Sequence, residues 1–452
     1  MNANDTRNEA LSILREVVDN GLFISDAAGK AALPQKGASD LDIRFILNLV
    51  RGTVEHESIL KAVLKRLVTA KPGKLKSVIK RILLLGLYEL LFLNNKAYAV
   101  VNEYVRLAKR KGFQGLSGFV NAVLRRAVSE KEALLQSLSA EEASGLSPEI
   151  LKYLSDALGR ENALAFGRYV IREESKKLTV RRNISACTAE AFVTAIHSDN
   201  ASAEPLDFQT WMPEEMTAGL PHDEIYVLKT EKPIPGLQAF QNGCFYVQDV
   251  SAWAAFRSLS AVLAPETAVL DLCAAPGGKT FQLMDIAAEK GVETRFTACD
   301  ISESRLERLK ENAERMHFSN VEILKNDAAE ACDAFTDRFG VVLADVPCSG
   351  LGDLSGKPEI RFHVSEEELR KLTAIQARIL ENAAHYVKAE GILQYSTCTL
   401  TRMENQEQIR RFLTKHPEFT LIDERTLIPG VNTPGDGFYF ARMKRNGRAV
   451  KD

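Results

Sequence analysis

Apolar positions in the first ~140 residues recur at helical spacing, and strand-like alternation is absent. In "FVNAVLRRAV" positions 119, 120, 123, 124 and 127 share one face, with Arg125 and Arg126 beside it. The longest apolar run, Ile82 to Leu93, holds 12 residues and includes Glu89. That is well short of the ~20 needed to cross a bilayer, so it predicts a core helix. "TAKPGK", Thr69 to Lys74, breaks the pattern as a turn. An all-α domain is expected over residues 1–140.

From 141 to 241 the texture changes. "KLTVRRNI" and "EIYVLKTE" are β-like, and Pro205, Pro213, Pro221, Pro233 and Pro235 punctuate the loops. This predicts a small α/β module that links its neighbours. From 242 to 452 strands and helices alternate: "AVLDLC", "TRFTACD", "VEILKND", "VVLADV" and "GILQYSTC" are short apolar strands ending in polar residues. Between the second and third, Leu306, Leu309, Ala313 and Met316 line one helical face, and Ser304 with Glu307 has the spacing of a capping box. Alternation of this kind predicts a doubly wound, mostly parallel α/β sheet of Rossmann-like type. The chain is therefore expected to be multidomain.

Composition narrows the function classes. With 452 residues, 45% hydrophobic and 26% charged, the chain has the make-up of a globular protein of two or three domains. "MNANDTRNEALSILREVV" has charges where a signal peptide needs an apolar core. Seven widely spaced cysteines without C-x-x-C, and no H-x-x-x-H, argue against a disulfide scaffold and against a metal site. A cytoplasmic, non-membrane protein with no metal is expected. Charge is unevenly spread: Arg51 to Arg126 holds 16 Lys/Arg against 4 acids, whereas Ala127 onward holds 37 against 49. A local excess of +12 suggests a polyanionic partner or simply a Lys-rich helical surface.

Candidate chemistry gathers at the strand ends of the last region. In "LDLCAAPGGKT" a strand runs into a turn of small residues (Cys273, Ala274, Ala275, Pro276, Gly277, Gly278, Lys279) and then a helix, whose first N–H groups favour an anion. Asp271 could bind a cation, so the pair suits an amino-acid moiety. Gly278, Lys279 and Thr280 also fit the end of a phosphate-binding G-x-x-x-x-G-K-[ST] loop, but Cys273 stands where its first glycine belongs. Asp300 ends the next strand, placed for ribose hydroxyls, and Asp327 follows the third, placed for an adenine amino group. Three acids in this order favour S-adenosylmethionine over a nucleoside triphosphate.

"ADVPCSG" and "LQYSTCTL" add Asp345, Cys348 and Cys398 at two further strand ends. Two thiols and a carboxylate beside a methyl donor point to methylation at a ring carbon. Cytosine C5 is a poor nucleophile until a thiolate adds at C6. Chemistry alone leaves either cysteine as the attacking group.

These blocks resemble a known family. "DLCAAPGGKT", "DVPCSG", "YSTCT…MENQEQI" and the closing "DGFYFARMKR" are similar to the signature segments of the RNA cytosine-C5 methyltransferases. "GKPEIRF", Gly356 to Phe362, resembles the family's Arg-rich element with Lys357 and Glu359 at altered positions, and "LTVRRNI" is a blurred form of another segment. "AYAVVNEYVRLAK" and "GFVNAVLRRAV" resemble the NusB-like RNA-binding domain, an arrangement found in bacterial members that act on 16S ribosomal RNA. The resemblance implies Cys398 as nucleophile, Cys348 as the thiol assisting release, and Asp345 orienting the base. It also implies the Cys273–Lys279 turn, Asp300, Asp327 and Asp345 around S-adenosylmethionine, with rRNA as partner and a monomer as the unit. The alternatives are a non-catalytic RNA-binding or assembly protein, the same chemistry on tRNA, and an ATPase.

Overall fold

A helix that is apolar on every side has to be surrounded, and the N-terminal part is built around one. In the computed structural model, which describes residues 3–68 and 75–447, this is Ser77–Phe92, buried at Ile79 and continuously from Ile82 to Leu91. Ala3–Asn20, Asp40–Glu55, Glu57–Leu67, Ala97–Arg110 and Ser117–Ser129 pack on it. The turn expected at Thr69–Lys74 lies outside the described residues.

Glu89, the acid inside the apolar run, is fully buried and explains its own presence. Arg7 pairs with it, Tyr104 donates to it at 2.8 Å and Asn95 at 2.9 Å. An unpaired carboxylate there would cost several kcal/mol, which these partners offset. Helix continues past residue 140, through Pro148–Leu158 and Arg160–Val170. Ser147 caps the first of these by accepting from Ile150 N–H at 3.2 Å, with Pro148 at the first helical position.

The chain divides into two units. The helical one comprises Met1–Arg172 together with Leu354–Val364, a segment drawn from far along the sequence. Within this unit Glu359 accepts from Ile24 N–H at 2.8 Å, capping Ile24–Ala31, which has no cap from its own Phe23. The Arg361 guanidinium donates to the carbonyls of Glu55 at 2.8 Å and Gly145 at 3.2 Å, and His363 stacks on Phe23. Much of the "GKPEIRF" element is therefore committed to internal packing, with Pro358, Glu359 and Ile360 buried.

The second unit, Glu173–Asp353 with Ser365–Asp452, holds both sheets. The smaller has four strands, β1 (Thr179–Arg182), β2 (Ser202–Pro205), β3 (Ile225–Lys229) and β4 (Phe245–Val247), in the antiparallel order β2-β3-β1-β4. Its last strand thus lies beyond residue 242. Arg181 of β1 forms a fully buried ion pair with Asp285 and donates to Gln248 at 2.8 Å. This anchors the small sheet to the helix Gly278–Glu289.

The larger sheet takes β5 (Ala268–Asp271), β6 (Arg295–Asp300), β7 (Val321–Lys325), β8 (Phe339–Asp345), β9 (Val387–Thr397), β10 (Phe419–Leu427) and β11 (Phe438–Arg445) in the order β10-β11-β9-β8-β5-β6-β7. The run from β9 to β7 is parallel, while β11 and β10 are antiparallel additions. Two apolar clusters cover its faces: Val269, Val341 and Leu343 belong to one, Leu270, Val342 and Ala344 to the other. Burial on both faces is why these strands read as unbroken apolar runs. The helix after β6 begins at Glu303, with Ser302 as its N-cap. The capping box expected from Ser304 and Glu307 therefore does not form. Ser304 lies in the first turn, too far into the helix to cap it.

Candidate active site

Parallel winding brings the carboxyl ends of β5, β8 and β9 side by side, and chain entering or leaving each end supplies one part of a cleft. Asp345 sits opposite Ser396 in the β8–β9 register. Cys348 lies three residues beyond Asp345 and Cys398 immediately after β9, so the two thiols converge, sulfur to sulfur, at 3.3 Å. Cys398 is exposed and Cys348 half-buried.

The electrostatic surroundings of the thiols differ. The hydrogen bond with the Cys348 thiol holds the Cys398 pKa below its ordinary value; the Asp345 charge opposes this, and the Lys279 cation reinforces it. The same hydrogen bond, burial and the nearby Glu404 carboxylate push the Cys348 thiol well up. The pair is thus biased toward a thiolate at Cys398 and a protonated donor at Cys348.

Asp345 and Lys279 link this pair to the turn after β5. Lys279 forms an ion pair with Asp345, whose other oxygen accepts from Ser396 Oγ at 2.7 Å. Burial is the largest single influence and works to lower the Lys279 pKa, but the charge and hydrogen bond of Asp345, together with the negative charges of Cys398 and Asp271, outweigh it and leave the ammonium above its ordinary value. The side chain of Lys279 therefore faces the thiols, although the sequence had grouped it with the phosphate-like turn. Asp271 accepts from Thr280 Oγ1 at 2.7 Å and Cys273 N–H at 3.3 Å, organising the turn rather than offering a free carboxylate. Burial pushes its carboxyl up to about 6, against the Thr280 hydrogen bond. With Lys279 and Thr280 so engaged, the phosphate-loop reading loses both side chains it needs.

The Cys273–Lys279 turn is held from three sides. Tyr246 and Asn312 donate to the Pro276 carbonyl at 3.0 and 3.1 Å, and Arg305 donates to the Ala275 carbonyl at 2.8 Å. Ala274 N–H bonds the Cys299 carbonyl at 2.8 Å, tying the turn to β6. Gly277 has φ +111°, and a Cβ there would meet the Phe281 ring at 2.1 Å, so no other residue fits.

Next along the sheet edge, Asp300 is buried, and one carboxylate oxygen accepts from Ser302 N–H at 3.0 Å. The other has no hydrogen-bond partner, only the Arg305 charge at 3.3 Å. Asn326, following β7, likewise has a buried amide nitrogen without a hydrogen-bond partner. Its backbone N–H bonds the Asp300 carbonyl at 3.2 Å. Asp327 uses one oxygen to accept from Ala329 N–H at 2.9 Å. A buried acceptor held only by the Arg305 charge and a buried donor without a hydrogen bond, at adjacent strand ends, are groups that a nucleoside could satisfy.

Sequence reasoning passed over Asn326, Ser396 and Glu404. Asn326 and Ser396 stood in quoted strands, and Glu404 in "MENQEQI", but nothing about their spacing reveals which side chains turn toward the cleft. Among the described residues no group of three or more His, Cys, Asp or Glu could hold a metal, all seven cysteines are free, and no helix is long and apolar enough to cross a membrane.

The basic segment looks different once folded. Arg51, Lys61, Arg66, Arg81, Arg106, Arg110 and Arg126 each pair with an acid, and Asp5, Asp19, Glu130 and Glu142 among those acids come from outside it. The helical unit is accordingly less positive than the count along the sequence.

Comparison with known proteins agrees with this architecture. The family model described as 16S rRNA methyltransferase RsmB/F matches residues 260–444, and the NusB family model matches residues 4–129. The chain is 30% identical over 470 residues to a Bacillus subtilis protein named "Probable ribosomal RNA small subunit methyltransferase B", covering 99% of this chain and 100% of that one. It is 30% identical over 453 residues to ribosomal RNA small subunit methyltransferase B of Serratia proteamaculans, covering 97% and 98%. The fold of PH0851 matches 96% of this chain and 98% of that one, with a TM-score of 0.72 at 21% identity. NSun6 from Pyrococcus horikoshii, solved with SFG, matches 68% of this chain and 99% of its own at a TM-score of 0.53 and 19% identity. Full-length similarity at this level, on a sheet whose strand ends carry paired thiols, means that the chain belongs to the RsmB/F family of 16S rRNA methyltransferases, with an N-terminal NusB region.

Proposed function

We propose that the protein forms 5-methylcytosine in 16S ribosomal RNA, using S-adenosylmethionine and a covalent bond between Cys398 and cytosine C6. The observation that carries this reading is the 3.3 Å contact between two thiols in opposite electrostatic surroundings. The residues that would hold the cofactor are the Cys273–Lys279 turn for the methionine part, Asp300 for ribose, and Asn326 with Asp327 for adenine. Two buried polar atoms among them, on Asp300 and Asn326, that lack a hydrogen bond support that fit. When bound, it supplies an electrophilic methyl group.

The chain's own residues handle the base. The Cys398 thiolate gives its electron pair to C6, forming an S–C6 bond and moving the C5=C6 π pair toward C5, which becomes the nucleophile. Asp345, already held by Lys279 and Ser396, keeps lone pairs to accept from the cytosine amino group. After methylation the C5 proton passes to water and its C–H pair re-forms C5=C6. The S–C6 pair returns to sulfur, and the Cys348 thiol is placed to hydrogen-bond the departing thiolate. Reaching C5 requires an unpaired or flipped cytosine, which costs a few kcal/mol in a duplex and less in a loop.

The other regions serve delivery. Residues 1–140, with exposed Lys65, Lys109 and Arg125, would grip RNA phosphates without reading sequence, and residues 141–241 would link that grip to the catalytic domain of residues 242–452. A site complete within one chain supports a monomer as the working unit, and free thiols support a reducing cytoplasm.

The test is incubation with labelled S-adenosylmethionine and unmodified 16S rRNA, with tRNA in parallel, followed by identification of the labelled nucleoside. 5-Methylcytosine in rRNA alone supports the proposal. Label confined to tRNA overturns the substrate, and no label with either RNA or with assembling small subunits overturns the activity.

A further inference from the structure

Glu404 is fully buried, and none of the steps above uses it. One carboxylate oxygen accepts from Ser349 N–H at 2.8 Å and the Gln376 amide at 3.1 Å. The other accepts from the hydroxyls of Ser349 at 2.6 Å and Thr401 at 2.7 Å. Ser349 Oγ also meets Thr399 Oγ1 at 2.7 Å. Since Ser349 gives its single hydroxyl hydrogen to the carboxylate, Thr399 is the donor in that contact. Ser349 follows Cys348 and Thr399 follows Cys398, so one carboxylate ties together the residues next to both thiols.

The surrounding bonds make this tie rigid. Tyr395 OH donates to the Glu404 carbonyl at 2.6 Å, closing the loop after β9 back onto its own strand. Gln376 also donates to the Pro347 carbonyl at 3.0 Å, holding the residue before Cys348. A buried carboxylate is costly unless fully hydrogen-bonded, and a neutral side chain could close the same loop more cheaply. What the ionised group adds is an acceptor-only centre that orients every hydrogen in the network, together with a negative charge close to Cys348.

We propose that Glu404 is a positioning residue that, acting through Ser349 and Thr399, sets the spacing of the two thiols and keeps their roles distinct. This deepens the proposed function and rests on Cys398 being the nucleophile. The Lys279 charge acts on Cys398 and the Glu404 charge on Cys348, so removing either narrows the difference between the sulfurs.

The experiment treats the full-length protein with limiting iodoacetamide across pH 6–9 and measures alkylation of Cys348 and Cys398 by peptide mass spectrometry, an assay that needs no RNA. Turnover on 16S rRNA, as kcat and KM, is measured in parallel. In the wild type, Cys398 should react first. Glu404→Gln and Ser349→Ala should each reduce that preference about tenfold, and kcat should fall about 100-fold for the first variant while KM for RNA stays nearly constant. Should Glu404→Gln fail to show a cooperative melt, Ser349→Ala decides alone, because it leaves the carboxylate its Ser349 N–H, Gln376 and Thr401 bonds. Unchanged preference and kcat in the folded variants overturn this proposal alone. Faster alkylation of Cys348 in the wild type overturns the nucleophile assignment, and this proposal with it.

Discussion

Lys279 is ion-paired with Asp345, joining the turn after β5 to the end of β8 directly beside the thiols. The pairing places a positive charge where it lowers the pKa of Cys398 and, at the same time, fixes the carboxylate assigned to the base. A turn proposed to hold the cofactor thereby also acts on Cys398, the proposed nucleophile.

Replacing that charge should shift the pH profile. With Lys279→Gln the Cys398 pKa rises, so the midpoint of its alkylation moves to higher pH and its rate at pH 7 falls, by about tenfold for a pKa one unit higher. An alkylation profile that stays where it was in the wild type would show that Lys279 has no such effect.

The two thiols should fail differently. Cys398→Ala should give neither turnover nor a covalent complex with 5-fluorocytosine RNA. Cys348→Ala should still attack but release slowly, so that a denaturation-resistant enzyme–RNA complex accumulates on gels. An inert Cys348→Ala that forms no complex would mean that the two assignments are reversed.

Asp271 gives a stability prediction with a definite sign. Its folded pKa of about 6 lies above the unfolded value near ~3.9, so the native state holds the extra proton between those pH values. Stability associated with this group is present below pH ~4 and is lost as pH rises toward 6, by about 3 kcal/mol in all. Asp271→Asn does not titrate, so its stability relative to wild type should improve as pH increases from 4 to 7. Denaturant melts at both pH values check this, and a constant difference would count against it.

In the helical unit, Arg361→Ala removes donors from the carbonyls of Glu55 and Gly145. Leaving those groups unsatisfied should cost about 2–4 kcal/mol and lower the melting temperature by several degrees. Arg361→Lys should recover only part of this, because one ammonium cannot reproduce the planar fork. A melting curve identical to wild type in both variants would show that the segment contributes nothing to the unit's stability.

Much of the molecule was legible from the order of residues. Helical spacing located Ser117–Ser129 and the buried helix containing Glu89, and the apolar runs located β5 through β9 because strands covered on both faces carry little else. β2, β4 and β10 went unread: β2 and β4 are four and three residues long, and β10 is buried only at its ends, with exposed and half-buried positions between them under a weak apolar pattern. The chemical groups, Cys348, Cys398 and Asp345, were recognisable because each follows or ends a strand, and local sequence specifies strand ends. What local sequence leaves open is which strand ends become neighbours. Only the β9-β8-β5 order brings sulfur to sulfur, turns Lys279 onto Asp345, and draws Ser349 and Thr399 onto Glu404. Only the tertiary fold carries Leu354–Val364 into the helical unit and brings Asp5 and Glu142 to the arginines they neutralise. The reason is physical: periodicity and turn chemistry act over a few residues along the chain, whereas these relationships join residues tens to hundreds of positions apart through packing that no local pattern records.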